Sequence, residues 1–512
     1  MSQLLKSDQS VVSGLSRTQW IDSGVPILNR KHLMRFTHHR TAVALAALAL
    51  GGCASLAPPF EPPALPVAAR FETPATESGG NAAQVAWREY FTDPQMQRVI
   101  ALALANNRDV RSAVLRVQEA RAAYAIGLSD RWPTVAAQGG AERTRVPSGL
   151  SPSGQAITSN QFSAGVGLAS WEIDFWGAVR SRNDAALQSY LATDAARRAA
   201  TLGLIAQVAE VTIGLHELDE RIDLARQTIT SRAESVRIFT RRVELGAAAR
   251  LTLLQYESLL TQAKALGAQL EQARAAQQHA LTLLVGAPVA LERRDTALGA
   301  ATDAAQLRAG LPSDLLLNRP DILAAEHQLR AANANIGAAR AAYFPRIALT
   351  GSLSSASTDL GDLFSSGSQG WSFGPSLSVP IFDSGRRDAN LEVTQVRREL
   401  AVTHYEKAVQ SAFRDVADAL SAQRWLTEQQ AIAETSLATQ TERARLSQLR
   451  FDAGSSAFLD VLDAERDLLA AQQQLVQARR ALLSNRVSLY AALGGGSLTL
   501  GDVPTQRAST QP

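Results

Sequence analysis

Cys53 is the only cysteine in this 512-residue chain and the residue best placed to undergo a chemical reaction. A single cysteine excludes a disulfide framework and any zinc finger built on Cys pairs. After it come only four histidines, His216, His279, His327 and His404, too dispersed in sequence to suggest a metal site. The chain has no glycine-rich phosphate loop ending in Lys-Ser/Thr, no His-Glu-x-x-His and no nucleophile elbow. Asp109 and Asp321 stand where helices begin and read as helix-start carboxylates, not catalytic ones. The sequence therefore reads as a non-enzyme with no metal and no dissociable cofactor.

The surroundings of Cys53 say which reaction is expected. Residues 1–52 carry Lys6, Arg17, Arg30, Lys31, Arg35 and Arg40 against Asp8 and Asp22. Beyond them 45 basic and 46 acidic residues remain, so the pI of 9.1 belongs to the front piece and gives no reason to expect nucleic acid. Met34 opens a basic stretch, Arg35-Phe-Thr-His-His-Arg40, followed by an apolar run from Thr41 to Leu50 and then Gly51-Gly52-Cys53. Positive, apolar, then small is the order of a secretory signal peptide, and the run is too short to span a bilayer. Cysteine directly after Leu-Gly-Gly resembles a bacterial lipobox, in which it is lipidated and becomes the mature N-terminus. The expected group is a covalent diacylglycerol plus an N-acyl chain (palmitate or similar) on Cys53, several chains on one residue giving a stable anchor. Residues 1–33 read as an upstream extension and 34–52 as the lipoprotein signal peptide. Residues 53–85, with Pro58, Pro59, Pro62, Pro63, Pro66 and Pro74, read as lipidated Cys and extended tether.

The remainder is one unit written twice. Asp109 aligns with Asp321 and Pro133 with Pro345 at an offset of 212; Gly177 with Gly385, Gly246 with Gly454, Glu257 with Glu465 and Gly286 with Gly494 at 208. Repeats assigned to 86–290 and 310–495 leave 496–512 as a flexible tail. Each repeat reads as a helix (93–130, 320–343), a short β-hairpin, a proline-free stretch of about 66 residues and a returning helix. As a helix that stretch is about 100 Å long. In the last helix Leu462, Leu469, Val476, Leu483 and Tyr490 recur every seven residues, beside a row of Ala464, Ala471 and Ala478. Several apolar or small rows predict several neighbours, as in a wall of helices. A two-stranded coiled coil is the simpler alternative.

The hairpins alternate. Phe162, Ala164, Val166 and Leu168 interleave with Ser163, Gly165 and Gly167; Ile347, Leu349 and Leu353 continue the pattern; Trp371, Phe373, Leu377 and Val379 interleave with Ser372, Gly374, Ser376 and Ser378. About ten alternating residues suit a membrane β-strand, although a half-buried soluble sheet alternates too. A chain with four such strands cannot close a barrel alone, because open edges do not sit in lipid and small barrels use about eight strands. Two chains would give eight strands and three would give twelve.

Together these residues match a known pattern. Leu317-Asn-Arg-Pro-Asp-Ile322, Ala331-Ala-Asn-Ala-Asn-Ile-Gly337, Ala341-Ala-Tyr-Phe-Pro345, Trp171-Glu-Ile-Asp-Phe-Trp-Gly177, Pro380-Ile-Phe-Asp-Ser-Gly-Arg386 and Leu459-Asp-Val-Leu-Asp-Ala-Glu465 occur in order. The chain resembles the outer membrane factor (TolC-like) channels, in particular the lipoprotein branch serving multidrug efflux. That resemblance implies a mainly α fold with a small membrane β-barrel portion. Its form would be an internally duplicated long-helix α-barrel with four β-strands per chain, closing as a homotrimer with a twelve-stranded barrel. It implies an outer-membrane location, a periplasmic adaptor (membrane fusion) protein and an inner-membrane efflux transporter as partners, and outer-membrane lipid around the barrel. It places Leu459, Asp460 and Asp463 at a periplasmic gate and Leu245, Gly246, Ala453, Gly454 and Ser455 at adaptor-contacting tips. The first-half tip has Thr252 and Gln255 where the second has Asp460 and Asp463, so the acidic set is not duplicated. The other reading open to the sequence is a lipid-anchored periplasmic coiled-coil scaffold without a pore.

Replacing Cys53 by Ser is expected to abolish incorporation of labelled palmitate into the expressed protein. Retained label would remove the lipobox assignment.

Overall fold

The computed structural model describes residues 55–68, 71, 80–293, 307–308 and 312–500, all within one compact unit that begins at Ser55. Cys53, the leader and residues 501–512 lie outside the described residues. The first half comprises β1 (Gly80–Asn81), α1 (Trp87–Tyr90), α2 (Pro94–Asn106), α3 (Arg108–Ser129), β2 (Val135–Val146), β3 (Ile157–Glu172), α4 (Ala178–Glu244) and α5 (Arg250–Val285). The second comprises β4 (Leu307–Arg308), α6 (Pro312–Asn318), α7 (Pro320–Ala341), β5 (Arg346–Ser357), β6 (Gln369–Ser378), α8 (Arg386–Asp452) and α9 (Phe458–Ala492).

The duplication is exact in its long elements, since α4 and α8 are both 67 residues. Gly203 and Gly214 lie inside α4 without breaking it. Leu202, Leu204, Ile205, Val208, Ala209, Ile213 and Leu215 are buried around them, so tertiary packing outweighs local propensity there. The helix expected over 93–130 is instead two, because Asn107 adopts an extended conformation. Its side chain accepts from the backbone N–H of Asp109 (2.8 Å) and Val110 (2.9 Å), starting α3 afresh.

Each long helix packs a short helix against its N-terminal part and a returning helix against its C-terminal part. α3 and α7 lie on the first part of α4, and α5 and α9 on the remainder. α9 also packs along α8, so its several rows do serve two neighbours, as a wall requires. The short helices meet the returning helices end to end. Gly286, after α5, sits against Asn106 and Asn107, and Gly494, after α9, against Asn318 and Arg319. At the first joint Asn107 Nδ2 donates to the Leu284 carbonyl at 2.8 Å. At the second, a guanidinium nitrogen of Arg319 donates to the Ala492 carbonyl at 3.1 Å, while the same side chain pairs with Asp321 (2.7 Å) and with Asp415 of α8 (3.3 Å). The Asn-Arg-Pro-Asp stretch is therefore a splice between two helices.

Two stretches expected to be loose are docked. Residues 55–68 run antiparallel to α7: Arg330 lies 4.4 Å over the Phe60 ring, Asn333 Nδ2 donates to the Pro58 carbonyl, and Arg340 to the Leu56 carbonyl. Phe71 stacks on Phe413 of α8 at 4.8 Å. Asn81 and Gly80 pair in parallel with Arg308 and Leu307, and Ala82 and Ala83 are buried. The proline-rich piece is thus an extended strap held through the Leu56 and Pro58 carbonyls and the Phe60 and Phe71 rings. Likewise residues 496–500 are not tail: Gly496 N donates to the Ala82 carbonyl, Leu498 N to the Ala83 carbonyl, and Leu500 is buried.

The joint gives a direct test. Gly494 has φ +72°, and a Cβ there would lie 2.9 Å from the Asn318 carbonyl oxygen. Gly494→Ala is expected to cost about 1–3 kcal/mol, read as a lower thermal midpoint of the helical signal.

Candidate functional site

Two regions carry the sequence-predicted residues, the four-stranded sheet and the opposite ends of the helices. In the sheet the order is β2-β3-β5-β6, every pair antiparallel, leaving β2 and β6 as open edges. The register sorts side chains by face. Val135, Leu168, Gly351 and Phe373 form one cross-strand row, and Ala137, Val166, Leu353 and Trp371 the next. Phe162 continues that face upward, and Leu349 opposite Pro375, then Ile347 opposite Leu377, continue it downward. A bulge between Leu168 and Trp171 shifts the pairing so that Trp171 stands opposite Leu349. The other face carries Ser352 and Ser372, whose hydroxyls are 2.7 Å apart, and Thr350, which donates to the Gly374 carbonyl. Val379 does not belong to the set, because β6 ends at Ser378 and Pro380 has no N–H to continue a ladder.

No helix packs across either face of this sheet among the described residues. Trp371 is 78% and Phe373 65% exposed, and Leu353, Leu377 and Val166 are exposed as well. Phe162, Leu168 and Leu349 are half-buried by their neighbours in the sheet. A contiguous apolar face of this kind is not left to water.

The two transition motifs are the hinges between sheet and helices. Asp174 accepts from the N–H groups of Val179 and Arg180 and so caps α4. Asp383 does the same for Arg387 at the start of α8 and pairs with its guanidinium at 2.7 Å. Trp176 stacks on Phe344 and donates Nε1–H to the Pro345 carbonyl, fixing the end of α7 to the start of α4.

At the far end both helix pairs turn the same way. Ala247 N donates to the Arg242 carbonyl and Gly246 N to that of Val243; Ser455 N donates to Arg450 and Gly454 N to Phe451. These are paired Schellman caps. Leu245, Gly246, Ala453, Gly454 and Ser455 are all exposed, so both turns present backbone and small groups to solvent. Leu459 and Asp460 are exposed on the first turn of α9, and Asp460 has no ion pair among the described residues. Asp463 is half-buried and pairs with Arg466 at 3.1 Å, a neutralising partner three residues away that the sequence reading passed over.

The same reading also missed what holds the tip. Phe239 (α4), Tyr256 (α5), Phe451 (α8) and Phe458 (α9) form one aromatic cluster, with ring centroids 4.3 Å apart for Phe239–Tyr256, 4.2 Å for Tyr256–Phe458 and 5.1 Å for Phe451–Phe458. Each of the four helices contributes one ring. Next to it Arg232 is buried, donating to the Leu259 carbonyl at 2.8 Å, with Glu465 of α9 in electrostatic reach. Burial pushes the Glu465 carboxyl above its ordinary value, opposed by the charge of Arg232.

The outer membrane efflux protein family has a sequence model that matches this chain over residues 99–287 and 311–495. The chain belongs to that family. It is 41% identical over 458 residues to the solvent efflux pump outer membrane protein SrpC of Pseudomonas putida, a match covering 88% of this chain and 97% of that one. It is 38% identical to the cation efflux system protein CusC of Escherichia coli, covering 88% and 98%. Its fold is similar to the open state of the MtrE outer membrane channel of Neisseria gonorrhoeae, with a TM-score of 0.80 and 38% identity over 86% of this chain and 98% of that one. A mainly helical fold with a small sheet portion, and a role as an outer-membrane channel component of an efflux system, follow from this membership. α4 is long and apolar enough to cross a membrane by length and composition, but 61% of its most apolar window is buried in the protein. The membrane-facing element of the family member is thus to be sought in the sheet.

The raised carboxyl of Glu465 has a signed consequence. Folding holds this proton above the unfolded value of about 4.5. The stabilisation is full below that pH and is lost as pH rises through the folded value. Glu465→Gln is expected to flatten the decline of tip stability with rising pH, read by limited proteolysis at the turns between pH 4.5 and 7.5. An unchanged slope would mean that the carboxyl titrates normally.

Proposed function

We propose that three copies of this chain close their sheets into a twelve-stranded outer-membrane barrel, continuous with a long periplasmic helical tunnel. The observation that carries this reading is a sheet with an apolar face, a small polar face, no helix packed across either among the described residues and two free edges. Lipid on one side, water on the other and a neighbouring strand at each edge satisfy all three demands at once. A coiled-coil scaffold has no use for such a sheet.

In this arrangement the two repeats, 86–290 and 310–495, supply alternate staves of the tunnel wall. Residues 1–33 and 34–52 are extension and signal peptide, and Cys53 carries the lipid. The strap supports the anchor: moving toward the N-terminus it climbs from Arg330 to Arg340, six residues before β5 begins. A lipidated Cys53 would therefore enter the inner leaflet at the rim of the barrel. The exposed turns at Leu245-Gly246 and Ala453-Gly454-Ser455 are where a periplasmic adaptor docks, and an inner-membrane transporter supplies cargo and energy. The duct itself is passive and takes small molecules; its selectivity lies upstream. Leu459 forms an apolar constriction, and Asp460 and Asp463, tripled by symmetry, give the narrow end a negative field. Asp460 contributes more of that field, since Asp463 shares the Arg466 guanidinium with Asp467 and is partly offset by it.

Asp460→Ala combined with Asp463→Ala should leave the trimer intact on an unboiled gel and lower cation selectivity in planar bilayers, by a severalfold change in permeability ratio. Unchanged selectivity in intact trimers would remove both carboxylates from the pore.

A further inference from the structure

The register of the first hairpin places two arginines where the apolar face ends. On β2, Val135, Ala137 and Ala141 share a face with Leu168, Val166 and Phe162 of β3. The next two positions on that face are Arg143, opposite Asn160, and Arg145, opposite Thr158. All four side chains are exposed, and neither arginine has an ion pair among the described residues. The nearest acid in sequence, Glu142, points to the other face, where it accepts a hydrogen bond from Thr144 Oγ1 at 2.9 Å.

Distance along the strands fixes the level of these groups. On β2 and β3 the apolar positions reach Ala141 and Phe162, whereas on β5 and β6 the same face turns polar at Ser355 and Gln369. From Ile347 to the level of Phe162 is about 33 Å of strand at ~3.3 Å per residue, or roughly 25 Å of height at the usual barrel tilt. That is the height of an apolar barrel band. Arg143 and Arg145 stand about 5 and 10 Å above it, toward the hairpin turns and away from the helices. A guanidinium is rejected by hydrocarbon and accepted at the interface, where its fork matches two phosphate oxygens. Two residues apart on one face, the pair spans about 7 Å, with the amide of Asn160 and hydroxyl of Thr158 beside it.

We propose that Arg143 and Arg145 form a binding site for the phosphates of outer-leaflet lipid headgroups. The site deepens the proposal above and rests on its reading of the apolar face as lipid-facing. It is a basic step on the hairpin side of the barrel, reading lipid charge on the protein's outer wall while Glu142 remains inside.

The test uses the full-length trimer in phosphatidylcholine nanodiscs containing a minor fraction of phosphatidic acid. Native mass spectrometry after transfer to detergent should show phosphatidic acid retained by the parent protein. Retention should fall on the order of tenfold in R143Q/R145Q, stay closer to parent in R143K/R145K, and resist competition by inorganic phosphate. Equal retention by parent and R143Q/R145Q would overturn the site, as would displacement by free phosphate. A nitroxide on Leu353→Cys separates this failure from failure of the underlying reading. Preferential access of oxygen over a water-soluble nickel chelate keeps the face in lipid, so equal retention then removes only the phosphate site. Preferential access of the chelate would overturn the membrane reading and the site with it.

Discussion

A helix that stops inside a packed wall leaves up to four carbonyls without partners, and the helix that takes over leaves as many N–H groups. This chain makes that stop twice, where α5 gives way to α3 and where α9 gives way to α7. Everything longer than one helix depends on how those ends are answered. Asn107 answers on both sides, capping its own helix and donating to the Leu284 carbonyl. Arg319 answers with charge, reaching the Ala492 carbonyl while held by Asp321 and Asp415. The two solutions differ in chemistry but put the helix axes end to end in the same way. They let helices of 22 and about 35 residues continue one another beside an uninterrupted 67-residue partner.

The sheet is the counterpart problem, left unsolved within one chain. Its strands satisfy one another internally, with the hydroxyls of Ser352 and Ser372 paired on the polar face, yet both edges and the apolar face stay open. Within one chain the splices answer the helix ends, whereas nothing among the described residues answers the edges of the sheet. Family membership places that incompleteness in an outer-membrane channel component, and the proposed trimer in lipid would complete it.

Much of this was legible in the residues. The duplication showed because Gly177/Gly385, Gly246/Gly454 and Gly286/Gly494 occupy backbone conformations with positive φ that few other residues adopt. The strands showed because alternation has a period that no helix shares. The aromatic clamp at the tip stayed hidden for a reason rooted in the same duplication. Phe239 and Tyr256 correspond at the offset of 208 to Ser447 and Ala464, and Phe451 and Phe458 to Val243 and Arg250. The cluster is built by breaking the repeat, so reading the repeat looked past it. Proline content identified an extended strap but not its docking, which depends on Asn333 and Arg340 more than 270 residues away. Arg466 stands three residues from Asp463, a helical spacing legible in the sequence itself.

The two joints also set an order in time. Asn107 meets Leu284 across 177 residues of chain, and Arg319 meets Ala492 across 173. The hairpins, and the helix pairs around Gly246 and Gly454, join neighbours in sequence and close small loops. Contacts that enclose long loops are entropically late, and topologies rich in them fold slowly. Each repeat must therefore finish its whole excursion, up through the hairpin and down to the tip, before its splice can shut. The β3–β5 pairing encloses as much chain, from Phe162 to Ser357, so the four-stranded sheet is completed no earlier than the splices, and each splice leaves its helix ends unanswered until it shuts.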